Sequence, residues 1–144
     1  MGLPLVAPAT LQYSSAMAPH YANGKVCYIV IPSSDPERSA AFYQAVFGWQ
    51  IRRRGDGSIT FDDGVGEVSG TWAKGKPAAQ NPNLLIYIMV DSAPATVELI
   101  TANGGRIVKP IGEEAPEVTA WFSDPEGNVM GIYQEPGLQA LPTT

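Results

Sequence analysis

Asp35-Pro36-Glu37-Arg38-Ser39-Ala40-Ala41-Phe42-Tyr43-Gln44-Ala45-Val46-Phe47-Gly48 spells one complete helix with both of its ends. Ser34 or Asp35 can cap the first free N–H groups, Pro36 suits the first turn, and Glu37 sits near the positive end of the helix dipole. Ala40, Ala41, Phe42, Val46 and Phe47 form an apolar stripe, and Gly48 tolerates the left-handed conformation that closes a helix. The pattern returns as Asp91-Ser92-Ala93-Pro94 through Ala102-Asn103-Gly104, with both the Asp pair and the Gly pair offset by 56 positions. A second echo follows each helix, Gly66-Glu67-Val68-Ser69-Gly70-Thr71-Trp72 against Gly127-Asn128-Val129-Met130-Gly131-Ile132-Tyr133, now at an offset of 61. Two copies of one unit imply a pseudo-symmetric site between them.

The flanking residues supply strands. Val26 to Ile31 is β-branched or aromatic apart from Cys27, as a strand buried on both faces would be, and Pro32 ends it. Shorter strands are expected at 50–54, 58–62 and 68–72, separated by the turn signals Gly55-Asp56-Gly57 and Asp63-Gly64. The second copy repeats the order, with a strand over 84–90, a helix over 93–103 stopped by Gly104-Gly105, and strands near 106–111, 118–123 and 129–133. The expected fold class is therefore α+β, with two tandem βαβββ modules. Their boundaries are an extended arm or added leader over 1–23, a first module over 24–73, and a Pro- and Gly-containing linker over 74–82. A second module follows over 83–135, with a tail over 136–144.

Composition removes several functions. A net charge of −5 with no long basic run argues against nucleic acid, whose phosphates need clustered cations. Arg52-Arg53-Arg54, the one basic cluster, reads as a solvated strand end. No apolar run approaches the ~18 residues of a membrane span. Residues 1–23 contain no Lys or Arg and so lack the basic start of a secretory signal. The expected location is the cytoplasm. The lone Cys27 excludes an internal disulfide and a thiolate metal site, and the lone His20 lies in the arm, which leaves no Ser-His-Asp arrangement.

The motif 34–39 followed by Phe42-Tyr43, the helix exit Phe47-Gly48-Trp49 and the turn Asp124-Pro125-Glu126-Gly127-Asn128 together resemble the vicinal oxygen chelate superfamily. That group includes lactoylglutathione lyase, extradiol dioxygenases, fosfomycin resistance enzymes and bleomycin resistance proteins. The resemblance covers about residues 25 to 135 and is greatest to a lactoylglutathione lyase-related branch. It implies paired modules whose sheets curl around a cleft with the helices outside, frequent homodimers, and in the metal enzymes a divalent ion held by side chains of the first and last strands. The positions carried over by that resemblance fall on Tyr28, Gly70, Leu85 (or Leu84) and Gly131. Gly and Leu offer no donor and a phenol is protonated near neutral pH, so no metal and no other cofactor is expected.

In the same register, strand alternation makes a pocket list. Tyr28 and Val30 face the cleft, with Cys27, Ile29 and Ile31 toward the helix. Leu85, Tyr87 and Met89 face the cleft from the second module. Val68 and Trp72 flank Gly70, Val129 and Tyr133 flank Gly131, and Trp121 is a further candidate of undetermined parity. Such an aromatic, apolar cleft suits a flat small molecule oriented by Tyr hydroxyls and Trp N–H groups. The leading expectation is metal-independent small-molecule binding. The alternative is a metal-free isomerase, cyclase or lyase acting on a carbonyl-containing or polycyclic metabolite with Tyr28 as general acid. A third is a scaffold whose cleft is filled by side chains. Asp62 and Asp63 read as a solvated turn, and Cys27 as an inert core thiol.

Overall fold

The computed structural model describes residues 20–139, so most of the arm expected over 1–23 and the last five residues lie outside the described residues. The elements are β1 (Tyr28–Pro32), α1 (Pro36–Phe47), β2 (Gln50–Arg53), β3 (Ile59–Asp62) and β4 (Ser69–Ala73), then β5 (Tyr87–Val90), α2 (Ala93–Ala102), β6 (Arg106–Lys109), β7 (Thr119–Ser123), β8 (Val129–Gln134) and α3 (Pro136–Gln139). The chain is α+β with tandem βαβββ modules, each forming one four-stranded sheet. The orders are β1-β4-β3-β2 and β5-β8-β7-β6, with the first strand of each module parallel to the last and all other pairs antiparallel.

Helix α1 carries the caps read from its sequence, whereas α2 is capped by Ser92 rather than by Asp91, the residue aligned with Asp35. Asp35 accepts the Arg38 N–H at 3.1 Å, and Gly48, at φ 71°, donates its N–H to Gln44 O at 3.0 Å. Ser92 accepts the Ala95 N–H at 3.2 Å, and Asn103 ends α2. The buried side of α1 carries Ser39, Ala40, Phe42, Tyr43 and Val46; Ala41 points out, and Tyr43 takes the central place. Several boundaries differ from expectation: β1 starts at Tyr28 rather than Val26, and β6 ends at Lys109 rather than at 111. The strand expected from 84 begins at Tyr87, with Leu84 exposed, and the tail expected from 136 starts with the short helix α3.

One core serves both modules. The helix-side faces of the two sheets and the inner faces of α1 and α2 bury Ile31, Phe61 and Trp72 together with Ile100, Phe122 and Ile132. Phe122 meets Phe42 and Phe47 at ring-centroid distances of 6.1 and 5.7 Å, and Tyr43 stacks on Trp49 at 4.7 Å. Burial of large rings at this density is the main stabilising contribution of the fold, at about 1.5–3 kcal/mol for each fully buried large side chain.

A polar lock joins the modules through the Asp124–Asn128 turn. Asp124 Oδ1 accepts the N–H groups of Glu126 and Asn128, both at 2.9 Å, while Oδ2 accepts the Tyr43 hydroxyl at 2.9 Å and Asn128 Nδ2 at 3.2 Å. Asn128 Nδ2 also donates to Pro32 O at 2.8 Å, and its Oδ1 accepts the Ala79 N–H at 2.8 Å. The last turn of module two thus holds the end of β1 and the linker. Gly127, at φ 97°, provides the left-handed step this turn requires. Burial raises the Asp124 carboxyl above the usual aspartate range against four hydrogen bonds, and burial likewise lifts the Tyr43 hydroxyl well above its ordinary value. At the rim, Glu126 accepts from Ser34 N (2.7 Å) and Ser34 Oγ (2.8 Å) and pairs with Arg38.

Candidate functional site

The strand registers assign every side chain to one of two faces, because directly paired residues project the same way. On sheet one, Tyr28 lies opposite Ser69 and Val30 opposite Thr71, and the rows continue through Asp62 to Gln50 and through Thr60 to Arg52. This open face is largely polar. Arg52 Nη2 donates to Asp62 Oδ1 at 3.0 Å, Ser69 Oγ donates to the same oxygen at 2.6 Å, and Thr71 Oγ1 donates to Ile59 O at 2.7 Å. Asp63 instead accepts the Glu67 and Val68 N–H groups at 2.8 and 3.2 Å and so shapes the turn before β4. Tyr28 is 51% exposed, and its hydroxyl has no hydrogen-bond partner among the described residues.

Gly70 and Trp72 are corrections. Parallel pairing puts them opposite Ile29 and Ile31, on the helix side, and Trp72 is only 3% exposed with its rings 4.8 Å from Phe61 and 5.8 Å from Tyr43. Gly70 is needed there because a Cβ would sit 2.2 Å from Ile29 O and 2.3 Å from the Phe61 ring. Val68 shares their parity and lines an apolar cleft of about 650 Å³ between the modules, with Ile29, Ile31, Phe47, Ile88 and Leu99 among its walls. Cys27 is corrected too: it precedes β1 and is exposed rather than turned toward the helix. His20 touches module one, its Nδ1 lying 2.5 Å from Glu67 Oε2 above an open trough.

Sheet two gathers its expected residues on one face. Tyr87 lies opposite Gly131 and Met89 opposite Tyr133 on β8, and β7 places Trp121 opposite Gly131, Thr119 opposite Tyr133 and Ser123 opposite Val129. Trp121, whose parity the sequence left open, therefore joins Tyr87, Met89, Val129, Gly131 and Tyr133. Val129 is covered, its N–H donating to Ala79 O in the linker. Leu85 is half-buried ahead of the strand. Gly131 does not open a void: the Tyr87 ring lies across it, and a Cβ would come within 2.6 Å of that ring.

The row Lys109–Trp121–Gly131–Tyr87 is a connected assembly. Trp121 Nε1 donates to the Tyr87 hydroxyl oxygen at 2.9 Å, and that hydroxyl donates to Glu114 Oε1 at 3.0 Å. Thr119 Oγ1 donates to the same carboxylate at 2.6 Å. Lys109 Nζ lies 3.4 Å from Glu114 Oε2 and 4.3 Å from the centre of the Trp121 ring. Hydrogen bonds from Thr119 and then Tyr87 hold the Glu114 carboxyl below its ordinary range. Sequence reasoning missed Glu114 and Lys109. Glu114 comes from the loop between β6 and β7, where no periodicity predicts reach, and a bulge between Ile107 and Lys109 resets the alternation of β6.

Beside this row is a cavity of about 410 Å³ lined by Tyr87, Met89, Glu114, Glu117, Thr119 and Tyr133, all from module two. Burial, then the neighbouring Glu135 and Glu117 carboxylates, raise the Tyr133 hydroxyl above its ordinary value. Among the described residues no group of three or more His, Cys, Asp or Glu side chains is placed to hold a metal ion. No helix among them is long and apolar enough to cross a membrane.

A family model described as the Glyoxalase/Bleomycin resistance protein/Dioxygenase superfamily matches residues 25–132. A glyoxylase-like domain-containing protein of Didymella fabae is 34% identical over 131 residues, covering 80% of this chain and 97% of that protein. Among solved structures, the fosfomycin resistance protein FosX of Listeria monocytogenes superposes with a TM-score of 0.66 at 16% identity, over 83% of this chain and 98% of that one. A superfamily enzyme from Burkholderia phytofirmans gives 0.63 at 22% identity, over 76% and 98%.

Proposed function

Because the chain belongs to the Glyoxalase/Bleomycin resistance protein/Dioxygenase superfamily, we propose that it binds a flat, apolar or aromatic small molecule on the open face of its second module, without a metal ion. The observation that carries this reading is the row Trp121–Gly131–Tyr87, an aromatic shelf whose polar atoms are already fixed by Glu114. Fixed rings give contact area at low entropic cost, and the adjoining cavity gives the ligand a place to enter.

Metal chemistry has little to attach to on these faces. A FosX variant has been solved with Mn(II) and a dihydroxypropylphosphonic acid, whereas the positions carried over from the family onto this chain are Tyr28, Gly70, Leu85 and Gly131. Correcting the register of β4 replaces Gly70 by Ser69 opposite Tyr28, still a neutral hydroxyl. Glu114, the carboxylate nearest the shelf, is taken up by Tyr87, Thr119 and Lys109. Hard or borderline cations need more anionic or imidazole donors than this.

The same reading makes the chain a homodimer working in the cytoplasm. β1 is the terminal strand of its sheet, and Tyr28 and Val30 stand exposed on it; a second copy would cover that edge and leave the shelf of module two open. A catalytic role for Tyr28 as general acid is the second reading, favoured by its unengaged, half-exposed hydroxyl. Titration with naphthalene-2-methanol by calorimetry tests the first. Tyr87→Ala should weaken binding about tenfold, in line with ~1.5 kcal/mol of lost ring contact. Unchanged affinity in that variant would remove the shelf from the site.

A further inference from the structure

The shelf of module two already holds one organic cation, its own. The Lys109 ammonium lies 4.3 Å from the Trp121 ring centre and 3.4 Å from a Glu114 oxygen, the aromatic-plus-carboxylate arrangement that recognises amines. The neighbouring 410 Å³ cavity repeats those elements with the cation left out. Tyr87 and Tyr133 are in its walls, Met89 adds a polarizable contact, and Glu114 and Glu117 supply negative charge. Among the described residues no Lys or Arg lies within 4 Å of the Glu117 or Glu135 carboxylates, and the Tyr133 hydroxyl feels both. Thr119 and Tyr87 donate to Glu114, which fixes that carboxylate beside the cavity.

We propose that the ligand of this face carries a positive charge, an aromatic ammonium or amidinium whose ring lies on the Tyr87–Trp121 shelf and whose cation enters the Tyr87–Tyr133–Glu117 cavity. This rests on the small-molecule reading above and narrows it. The positive charge gains cation–π contact with the two phenol rings and Coulomb attraction to Glu117 and Glu114, while the partly open cavity lets its remaining hydrogen bonds go to water. An anion of the same shape would meet the Glu114 and Glu117 carboxylates and be rejected.

Two probes of matched shape separate the claims: naphthalen-2-ylmethylamine, protonated at pH 7, and the neutral naphthalene-2-methanol, each titrated by calorimetry. The ammonium should bind about tenfold more tightly, and this preference should shrink as salt rises from 0.05 to ~0.5 M. Glu117→Gln should cut the ratio of ammonium to neutral-probe affinity severalfold, and the exposed position of Glu117 makes this variant safe for folding. Equal affinities for the two probes would overturn the charge assignment and leave the shelf standing. Binding of neither probe would overturn the shelf itself and the inference with it.

Discussion

Asn128→Ala should unlock the two modules, and its cost can be worked from the contacts. The side chain is 1% exposed and makes three hydrogen bonds, donating to Pro32 O and Asp124 Oδ2 and accepting from the Ala79 N–H. Alanine leaves a backbone carbonyl and a backbone N–H without partners in a partly buried place. Each orphaned group costs about 1–3 kcal/mol. The Asp124 carboxylate, which burial already destabilises, loses one of four donors as well. The expected loss is about 3–5 kcal/mol, a large share of the stability of a domain this size. It should appear in urea unfolding as a lower midpoint with an unchanged slope. Asn128→Asp tests the same geometry through charge. Its oxygen can still accept from Ala79, yet it sets a second carboxylate about 3 Å from Asp124, so it should be worse than alanine at pH 7 and recover toward pH 4. A loss below ~1 kcal/mol for Asn128→Ala would refute the lock.

Other expectations follow from single contacts. Gly131→Ala drives a Cβ to 2.6 Å from the Tyr87 ring; it should cost about 1–3 kcal/mol by displacing that ring and should weaken probe binding about tenfold. Gly70→Ala meets backbone at 2.2 Å as well as the buried Phe61 ring, rather than a half-exposed ring alone, so its loss, measured by thermal melting, should exceed that of Gly131→Ala. Burial pushes the Glu126 carboxyl up, but hydrogen bonds from Ser34 and Arg38 win and its pKa falls below the ordinary value. Its contribution is therefore full above the unfolded pKa of about 4.3 and is lost as pH falls through the lower folded value. The stability gap between wild type and Glu126→Gln should close toward pH 3. Tyr28→Phe should change stability by less than ~0.5 kcal/mol, and retained binding with lost turnover on a substrate would assign Tyr28 the catalytic role.

The helices were legible because their ends are chemical. Asp35 and Gly48 act where local hydrogen bonding and backbone freedom require them, while the cap of α2 falls on Ser92, one residue past the aligned Asp91. The face of sheet two was legible because Tyr87 and Met89 alternate with Ile88 and Val90. Sheet one failed at β4, where Ser69-Gly70-Thr71-Trp72-Ala73 offers no clean alternation and the only guide was the echo with Gly131. That echo is one residue out of phase. Val30–Thr71–Thr60 in module one corresponds to Tyr87–Gly131–Trp121 in module two, so Thr71, not Gly70, stands where Gly131 does. A one-residue slip reverses every side chain in a strand, which is why Trp72 moved from the expected cleft to the core. Glu114 was illegible for another reason, since a loop carboxylate reaches its partners only once the sheet beneath it exists.

The chain has three tryptophans, and their indole N–H resonances give the most direct test of the shelf. Trp121 donates to Tyr87 on the open face, whereas Trp49 and Trp72 are buried with the core. Titrating naphthalen-2-ylmethylamine into 15N-labelled protein should move the Trp121 indole peak and leave the other two in place. Movement of the Trp49 or Trp72 peaks with a stationary Trp121 would put the ligand in the apolar cleft between the modules and contradict the site described here.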